Sequence, residues 1–271
     1  MPDVWTSVSE DDEGPHRVFG FVFATPQEAD PFRVCLSACR ASRSLLMARP
    51  KIGIPQIDSW DSHPIAWIVS GIGRRPAHRA ARFLIDKCGV NWLISSGVSG
   101  ALRPGLPVGT VLYIERVVDE DGVKWETTPV PGSPETSFHG MVLLCARNVI
   151  GSPMARANAA ERWNADAVDM ESAGVAEAAR GAGIPFSCMR SISDAFEDLL
   201  PLDFTPFIDK LGQIRMGRLV AAAMLHPRSI PALARLGTQT GRASRTLARA
   251  LETVLHTASD NLPVGTLPTS S

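Results

Sequence analysis

The stretch AVDMESAGVAEAARGAGIPFSCMRSISD, residues 167–194, decides the fold class of this chain. It begins with a short apolar strand that leads into a helix, which the pattern predicts over Glu171–Gly181. The break Gly183-Ile-Pro185 ends this helix, and a second apolar strand is predicted over Pro185–Ile192. A strand, a helix and a strand in this order indicate an α/β protein with a largely parallel sheet.

The same alternation of strands and helices extends upstream of this stretch. Because the strands stop after Asp203, we divide the chain into a flexible leader (1–16), an α/β domain (17–205), a helical extension (206–256) and a disordered tail (257–271). The other predicted strands are Val18–Ala24, Ile65–Ser70, Trp92–Ser96, Thr110–Val118 and Met141–Ala146. The other predicted helices are Pro26–Met47, Pro76–Cys88, Met154–Trp163 and two in the extension, at 206–226 and 230–256.

Composition and charge exclude several classes of protein. The chain has 271 residues, of which 45% are hydrophobic and 20% charged, and this balance excludes a wholly disordered chain. Its 27 basic and 28 acidic residues give a net charge of −1, which argues against a protein dedicated to nucleic-acid binding. The charge is uneven, because the leader holds five acidic residues and no base, whereas the extension holds eight basic residues against two acidic ones.

The basic residues of the extension predict a helix with one cationic face. Arg242, Arg245 and Arg249 are spaced i, i+3 and i+7, opposite an apolar row that includes Leu247 and Leu251. Such a helix is typical of proteins that bind an anionic membrane surface. The commoner alternative is a helix that packs on its own core and leaves its basic face in water. Both interpretations stay open.

The cysteines and the N-terminus favour a cytoplasmic protein, with peripheral membrane contact through 206–256 as the open alternative. Five cysteines are an odd number without a CxxC pair, and no His or Cys pair has metal-ligand spacing. We therefore predict buried, reduced thiols and no metal site. The first 16 residues lack the apolar region of a signal peptide. The cysteines are Cys35, Cys39, Cys88, Cys145 and Cys188.

Polar or glycine residues follow several predicted strands at the point where each strand ends, which is where open α/β sheets bind ligands. Each of these polar residues and glycines also has an interpretation that needs no ligand. Glu28 is a first-turn acid that favours the helix dipole, and Asp194 is a candidate helix cap. The glycines after Ser70 form a tight turn, and they do not make a dinucleotide fingerprint because Pro76 replaces the third glycine.

Five such motifs occur in one order over roughly Val18–Asp198, and together they resemble the nucleoside phosphorylase/nucleosidase family. This family includes purine and uridine phosphorylases and methylthioadenosine/S-adenosylhomocysteine nucleosidases. The resemblance implies a three-layer α/β sandwich with a central mixed, mostly parallel sheet, and cleavage of the N-glycosidic bond of a purine, adenine-type nucleoside. The motifs are Ala24…Glu28, Ser70-Gly-Ile-Gly73, Ser96-Gly-Val-Ser-Gly-Ala101, Val168-Asp-Met-Glu171 and Arg190-Ser-Ile-Ser-Asp194.

The resemblance assigns roles to individual residues. Asp194 is the general acid that protonates the departing purine, and Glu28 orients the attacking water. Glu171 holds the ribose hydroxyls, and Met170 packs on the sugar. It places further substrate contacts at Ser70, Gly73, Gly97, Val98 and Ser193. The resemblance implies no cofactor and a small-molecule nucleoside as the binding partner.

The nucleophile is left open between water and phosphate. Phosphorylases of this family hold phosphate with an arginine and a hydroxyl, but these positions are Ser95 and Val98 here. The early phosphate motif is also replaced, by Ala24-Thr-Pro-Gln-Glu28. These departures favour hydrolysis, whereas Arg74 could still bind phosphate as a co-substrate. A non-catalytic nucleoside-binding protein on the same fold is the alternative of another class.

Within the family, the chain is most similar to the hopanoid-associated phosphorylases, proposed to act on a lipid-linked adenosine. The similarity rests on the short segment between His139 and Asp169, on the Leu200-Pro-Leu-Asp-Phe204 sequence and on the helical extension. It implies a 5′-substituted or lipid-linked substrate. The family also implies a homodimer or a higher homo-oligomer.

Overall fold

A computed structural model describes residues 17–38, 50–60, 63–130, 133, 138–200, 205–207, 209, 212–213 and 230–260. The strands are β1 (Phe19–Phe23), β2 (Gln56–Trp60), β3 (His63–Val69), β4 (Trp92–Ala101), β5 (Val111–Asp119), β6 (Lys124–Glu126), β7 (Phe138–Cys145), β8 (Ala167–Asp169) and β9 (Phe186–Asp194). The helices are α1 (Pro26–Ala38), α2 (Arg74–Cys88), α3 (Pro153–Trp163), α4 (Ser172–Ala182) and α5 (Ile230–Asp260), with a 3₁₀ turn at Thr205–Phe207.

The strands form one mixed sheet in the order β2-β3-β1-β4-β8-β7-β5-β6, and β9 pairs with both β4 and β5. Parallel pairing joins β1 to β3 and β4, β4 to β9, and β7 to β5 and β8. The pairs β2–β3, β4–β8, β5–β6 and β5–β9 are antiparallel. The predicted α/β fold with a mixed, mostly parallel sheet is therefore confirmed.

Two apolar clusters cover the two faces of the sheet and make three layers. Neighbouring residues of β1 alternate between them, since Val22 belongs to one cluster and Phe21 to the other. Helices α2 and α4 cover the first face, and α1 and α5 cover the second. Helices α2 and α4 lie so close that a Cβ on Gly174 would stand 2.2 Å from the carbonyl oxygen of Arg74.

Helix α5 packs on the sheet and exposes its basic face. Arg242, Arg245 and Arg249 are exposed, so the interpretation of a helix on its own core is confirmed for 230–260. Asp198 anchors this helix to the end of β9, because it pairs with Arg235 and accepts a hydrogen bond from Gln239. No helix among the described residues is long and apolar enough to cross a membrane. The buried residues of α5 include Ala243, Leu247, Ala248, Leu251, Val254 and Leu255.

The structure departs from the predicted elements in several places. Strands β2 and β6 were not expected, and β4 continues to Ala101 rather than ending at Ser96. Helix α5 continues to Asp260, into the segment predicted as a disordered tail. The leader 1–16, most of the helix predicted at 206–226 and the end of the helix predicted to reach Met47 lie outside the described residues.

Candidate active site

The ends of β1, β4, β8 and β9 surround a cavity of about 1250 Å³. Three carboxylate side chains from different elements line it, namely Glu28, Glu171 and Asp194. All three residues are at least half-buried. Met170, Val98 and Ser193 line the same cavity. The structure thus brings together six of the residues that the sequence predicts for the site.

Glu28 serves both the start of α1 and the cavity. Its Oε2 accepts hydrogen bonds from the backbone N–H (2.7 Å) and the hydroxyl (3.1 Å) of Thr25, and the Glu28 N–H donates back to that hydroxyl (3.3 Å). This reciprocal arrangement is a capping box. The other oxygen, Oε1, accepts from the Val98 N–H at 3.0 Å. Burial raises the pKa of Glu28, although the hydrogen bonds from Val98 and Thr25 oppose the shift.

Glu171 precedes the first residue of α4 and turns back toward the end of β3. Its Oε1 accepts a hydrogen bond from the Gly73 N–H at 2.7 Å, and its Oε2 accepts from the Met170 N–H at 3.3 Å. Burial, followed by the negative charges of Asp169 and Glu28, raises the pKa of Glu171 to about 8. This shift favours the protonated form of Glu171 near neutral pH.

A buried ion pair lies beneath these carboxylates. Arg190 donates to Oδ2 of Asp169 at 2.5 Å and to the hydroxyl of Ser95 at 2.7 Å. Asp169 also accepts hydrogen bonds from the N–H and the hydroxyl of Ser172, the first residue of α4. Arg190 is 2% exposed, and its charge compensates the acidic residues around it.

Asp194 ends β9 with both carboxylate oxygens engaged. Its Oδ1 accepts from the hydroxyl of Ser193 at 2.6 Å, and its Oδ2 accepts from the guanidinium of Arg156 on α3. A Cβ on Gly100 would stand 2.8 Å from Oδ2, so this strand position requires a glycine. None of the hydrogen bonds found among the described residues makes Asp194 a helix cap.

Three predicted substrate contacts do not line the cavity. The hydroxyl of Ser70 donates to the carbonyls of Phe23 and Gly71, so it ties two strand ends together. Gly73 acts through its N–H on Glu171. Gly97 lies behind Glu28, where an added Cβ would stand 3.0 Å from Oε1.

Arg74 does not line this cavity, and its predicted contact with phosphate stays a prediction. Its guanidinium pairs with Asp119 at 2.8 Å and with Glu177 at 3.2 Å. It lines a separate pocket of about 630 Å³ instead. These two carboxylates neutralise the charge that a phosphate would need.

Comparison with known proteins identifies the family. The model described as "Phosphorylase superfamily" matches residues 20–137 and 132–224. The chain belongs to the phosphorylase superfamily. Together with the nucleosidase relatives below, this membership makes it an enzyme of the nucleosidase or nucleoside phosphorylase type, with hydrolysis favoured over phosphorolysis.

The relatives that match by sequence have nucleosidase names. A 5′-methylthioadenosine/S-adenosylhomocysteine nucleosidase of Exiguobacterium sp. is 26% identical over 179 residues, which cover 56% of this chain and 76% of the relative. An aminodeoxyfutalosine nucleosidase of Campylobacter jejuni is 25% identical over 173 residues, which cover 55% of this chain and 76% of the relative.

Solved structures share the superfamily fold. Futalosine hydrolase of Helicobacter pylori matches with a TM-score of 0.63 and 16% identity, covering 89% of this chain and 98% of that one. A second match is a 5′-methylthioadenosine/S-adenosylhomocysteine nucleosidase from S. pneumoniae, solved with a transition-state inhibitor. Its TM-score is 0.65 at 16% identity, and the match covers 89% of this chain and 99% of that one.

The sequence did not reveal the two buried arginines of this superfamily member. Arg190 lies within one of the five motifs but had no predicted role. Arg156 lies within a predicted helix, and no feature of the sequence set it apart from the other residues of that helix. A signal was present for Arg190, because a cation within a strand that is otherwise small and apolar needs a buried acidic partner. The helix predicted around Arg156 offered no such signal.

Proposed function

We propose that this enzyme hydrolyses the N-glycosidic bond of a purine nucleoside. The observation that supports this most is the arrangement of Glu28, Glu171 and Asp194 around one cavity at the strand ends. The three acids come from different elements and lie in different environments, so each is suited to a different task. One positions water, one holds the sugar and one assists departure of the base.

The reaction needs a proton on the base and a nucleophile at the sugar. As the C1′–N9 bond breaks, its electron pair moves to the purine, and Asp194 in its acid form transfers its proton to N7. Water adds to C1′, and its proton passes to Glu28, whose raised pKa makes it a stronger base than an ordinary glutamate. Glu171 accepts hydrogen bonds from the ribose hydroxyls, and Met170 packs on the sugar.

Water is the proposed nucleophile because the cavity offers little positive charge to a phosphate. Arg245 is the one cation among the described residues that line it. Arg190 lies behind the carboxylates and is paired with Asp169, and Arg74 is paired outside the cavity. A phosphate would therefore face three acidic residues with few donors.

Product analysis tests the reaction and its nucleophile together. Incubation with 5′-methylthioadenosine or S-adenosylhomocysteine should release adenine at the same rate with and without phosphate in the buffer. The sugar product should be the free 5′-substituted ribose, identified by mass spectrometry. Adenine release that requires phosphate and yields a ribose 1-phosphate would instead establish phosphorolysis, and the absence of any release would contradict the proposed reaction.

We extend the proposal to a substrate with an apolar 5′ substituent, such as a hopanoid-type lipid. The cavity is larger than the roughly 300–1000 Å³ typical of small-molecule sites. Apolar residues of α5 and of the segment around Pro50 are part of its lining. The apolar lining residues include Pro31, Pro50, Ile52, Ile230, Leu233 and Leu236.

A lipid-linked substrate also gives the basic face of α5 a role on an anionic membrane. Arg242, Arg245 and Arg249 are exposed on the helix whose first turns line the cavity. The protein should sediment with vesicles that contain phosphatidylglycerol and not with pure phosphatidylcholine. Changing all three arginines to glutamine should weaken this binding roughly a hundredfold, at about 1 kcal/mol for each arginine.

The matched control for the vesicle experiment is Arg82→Gln, which removes a partly exposed arginine of α2 on the other side of the sheet. This variant should bind anionic vesicles like the wild type. Equal sedimentation with both kinds of vesicle, or none with either, would contradict membrane binding through α5.

A further inference from the structure

Arg156 is a completely buried cation in direct contact with the proposed acid. Its side chain is 0% exposed, although it belongs to α3, a helix with most of its residues at the surface. The guanidinium donates to the carbonyls of Ile150 and Ala101, each at 3.3 Å, and to the carbonyl of Ala195. Its remaining contact is Oδ2 of Asp194.

These contacts fix the guanidinium but do not neutralise it. Three backbone carbonyls satisfy its N–H groups, and they come from the ends of β4 and β9 and from the loop before α3. A buried charge needs an opposite charge as well as hydrogen bonds, and Asp194 is the acid in contact with it among the described residues. The full positive charge of Arg156 is therefore directed at one carboxyl group.

We propose that Arg156 is the positioning residue of the acid step: it aims the carboxyl group of Asp194 into the cavity and stabilises the carboxylate that forms when the proton passes to the departing base. This inference rests on the proposed cleavage reaction. The proton leaves Asp194 for N7 while the C1′–N9 electron pair moves to the purine, so one negative charge appears on Asp194. Arg156 already lies beside the oxygen that receives this charge.

Most of the other charged groups around Asp194 act in the opposite direction or are already paired, and the exposed Arg245 of α5, which also lines the cavity, is not among the ion-pair partners found for Asp194 in the described residues. The carboxyl groups that share the cavity disfavour a further negative charge, whereas Arg190 is paired with Asp169. Asp198, four residues on, is paired with Arg235. Stabilisation of the Asp194 carboxylate therefore depends on Arg156. The charged groups that line the cavity from α1, β8, the start of α4 and α5 are Glu28, Asp30, Asp169, Glu171 and Arg245.

The test compares adenine release by Arg156→Met and by the wild type. Loss of the cation removes the charge that stabilises the Asp194 carboxylate as the proton leaves, so kcat should fall about tenfold or more while KM changes little. Arg156→Lys retains the charge and should keep most of the wild-type kcat. Arg162→Met, an exposed arginine of the same helix, should leave kcat and KM unchanged.

A merely structural role predicts a different result. In that case Arg156→Met would lose activity only in proportion to its loss of stability, and Arg156→Lys would lose as much activity as Arg156→Met, which would overturn the inference. If Arg156→Met does not fold, Arg156→Gln carries the same test, because glutamine keeps hydrogen-bond donors and removes the charge.

An activated substrate separates the acid step from the rest of the reaction. p-Nitrophenyl riboside has a leaving group that needs no proton, so its hydrolysis should be nearly unaffected by loss of Arg156. An equal loss with nucleoside and with nitrophenyl riboside would overturn the inference. Failure of the wild type to release adenine from any nucleoside would instead contradict the proposed function, so the two failures are distinguishable.

Discussion

Replacement of Asp194 by asparagine should lower the rate of adenine release by about 10²–10⁴-fold, the usual contribution of a general acid. Asparagine has nearly the same shape and can still accept a hydrogen bond from Ser193, but it has no acidic proton to give to the purine. The substrate should therefore bind, and the C1′–N9 bond should break slowly because the leaving base must depart unprotonated. Adenine release under single-turnover conditions is the appropriate measurement.

Stability must be measured beside the activity of this variant. The neutral amide would leave the buried Arg156 without its counter-charge, and breaking such a pair costs about 3–5 kcal/mol. Thermal unfolding shows whether the variant is folded at the assay temperature. The control Asp86→Asn removes an exposed carboxylate of α2 that pairs with Arg82, and it should leave both properties unchanged. Full activity of a folded Asp194→Asn enzyme would refute the assigned acid.

The three acids of the cavity could be predicted from the sequence because each follows a strand closely. Glu28 lies five residues after β1, Glu171 two residues after β8, and Asp194 at the last residue of β9. Strands β1 and β9 both run parallel to β4, so their carboxyl ends meet at one edge of the sheet. This strand direction does not account for Glu171, because β8 runs antiparallel to β4; the family resemblance implied its place at the site.

The ion pairs of the site could not be predicted in this way. Arg190 is 21 residues from Asp169, and Arg156 is 38 residues from Asp194. No local pattern links such positions, because their contact depends on how α3 and β9 pack in three dimensions. An arginine in a helix is most often exposed, and nothing in the sequence of α3 distinguishes Arg156 from Arg162.

The two edge strands were missed for a local reason. Strand β2 reads QIDSW and alternates exposed and half-buried residues, so it lacks the continuous apolar run of the central strands. Strand β6 has only three residues. Both gain their structure from pairing with a longer neighbour, β3 and β5 respectively.

Glu28 lies both in the first turn of α1 and at the cavity, and its role in catalysis stays a prediction. Its Oε2 completes the capping box with Thr25, while its Oε1 is held by Val98 beside the cavity. The first-turn acid predicted from the sequence and the cavity acid are therefore one side chain with two uses. The cap fixes the orientation of the carboxylate that the proposed reaction needs.

The second large effect expected is a loss of stability with rising pH that depends on Glu171. Burial and the neighbouring acids raise the pKa of Glu171 from 4.5 to about 8. Between these values the folded protein binds a proton at this site and the unfolded chain does not, so rising pH favours unfolding. The stabilisation is fully present below pH 4.5 and is lost as the pH rises toward about 8.

Replacement of Glu171 by glutamine should remove this dependence. Glutamine keeps an oxygen that can accept from the Gly73 N–H and has no proton to lose. In urea unfolding of the ligand-free enzyme between about pH 5 and 8, the free energy of unfolding of the wild type should fall by about 1.4 kcal/mol per pH unit from this group. The slope should be smaller in Glu171→Gln by that amount. Part of the wild-type slope should persist, because the raised pKa of Glu28 acts with the same sign.

A matched exposed glutamate distinguishes the buried group from a general effect of charge. Glu161→Gln removes the same negative charge from the surface of α3 and should keep the wild-type slope. Equal slopes in the wild type and in Glu171→Gln would mean that Glu171 is already ionised in the free enzyme. In that case the charge of Arg190 would lower the pKa of Glu171 by more than burial and the two neighbouring acids raise it. The Glu171 carboxylate would then be ready to accept hydrogen bonds from the ribose hydroxyls before the substrate arrives. A difference in slope means that Glu171 is protonated in the ligand-free protein over this pH range.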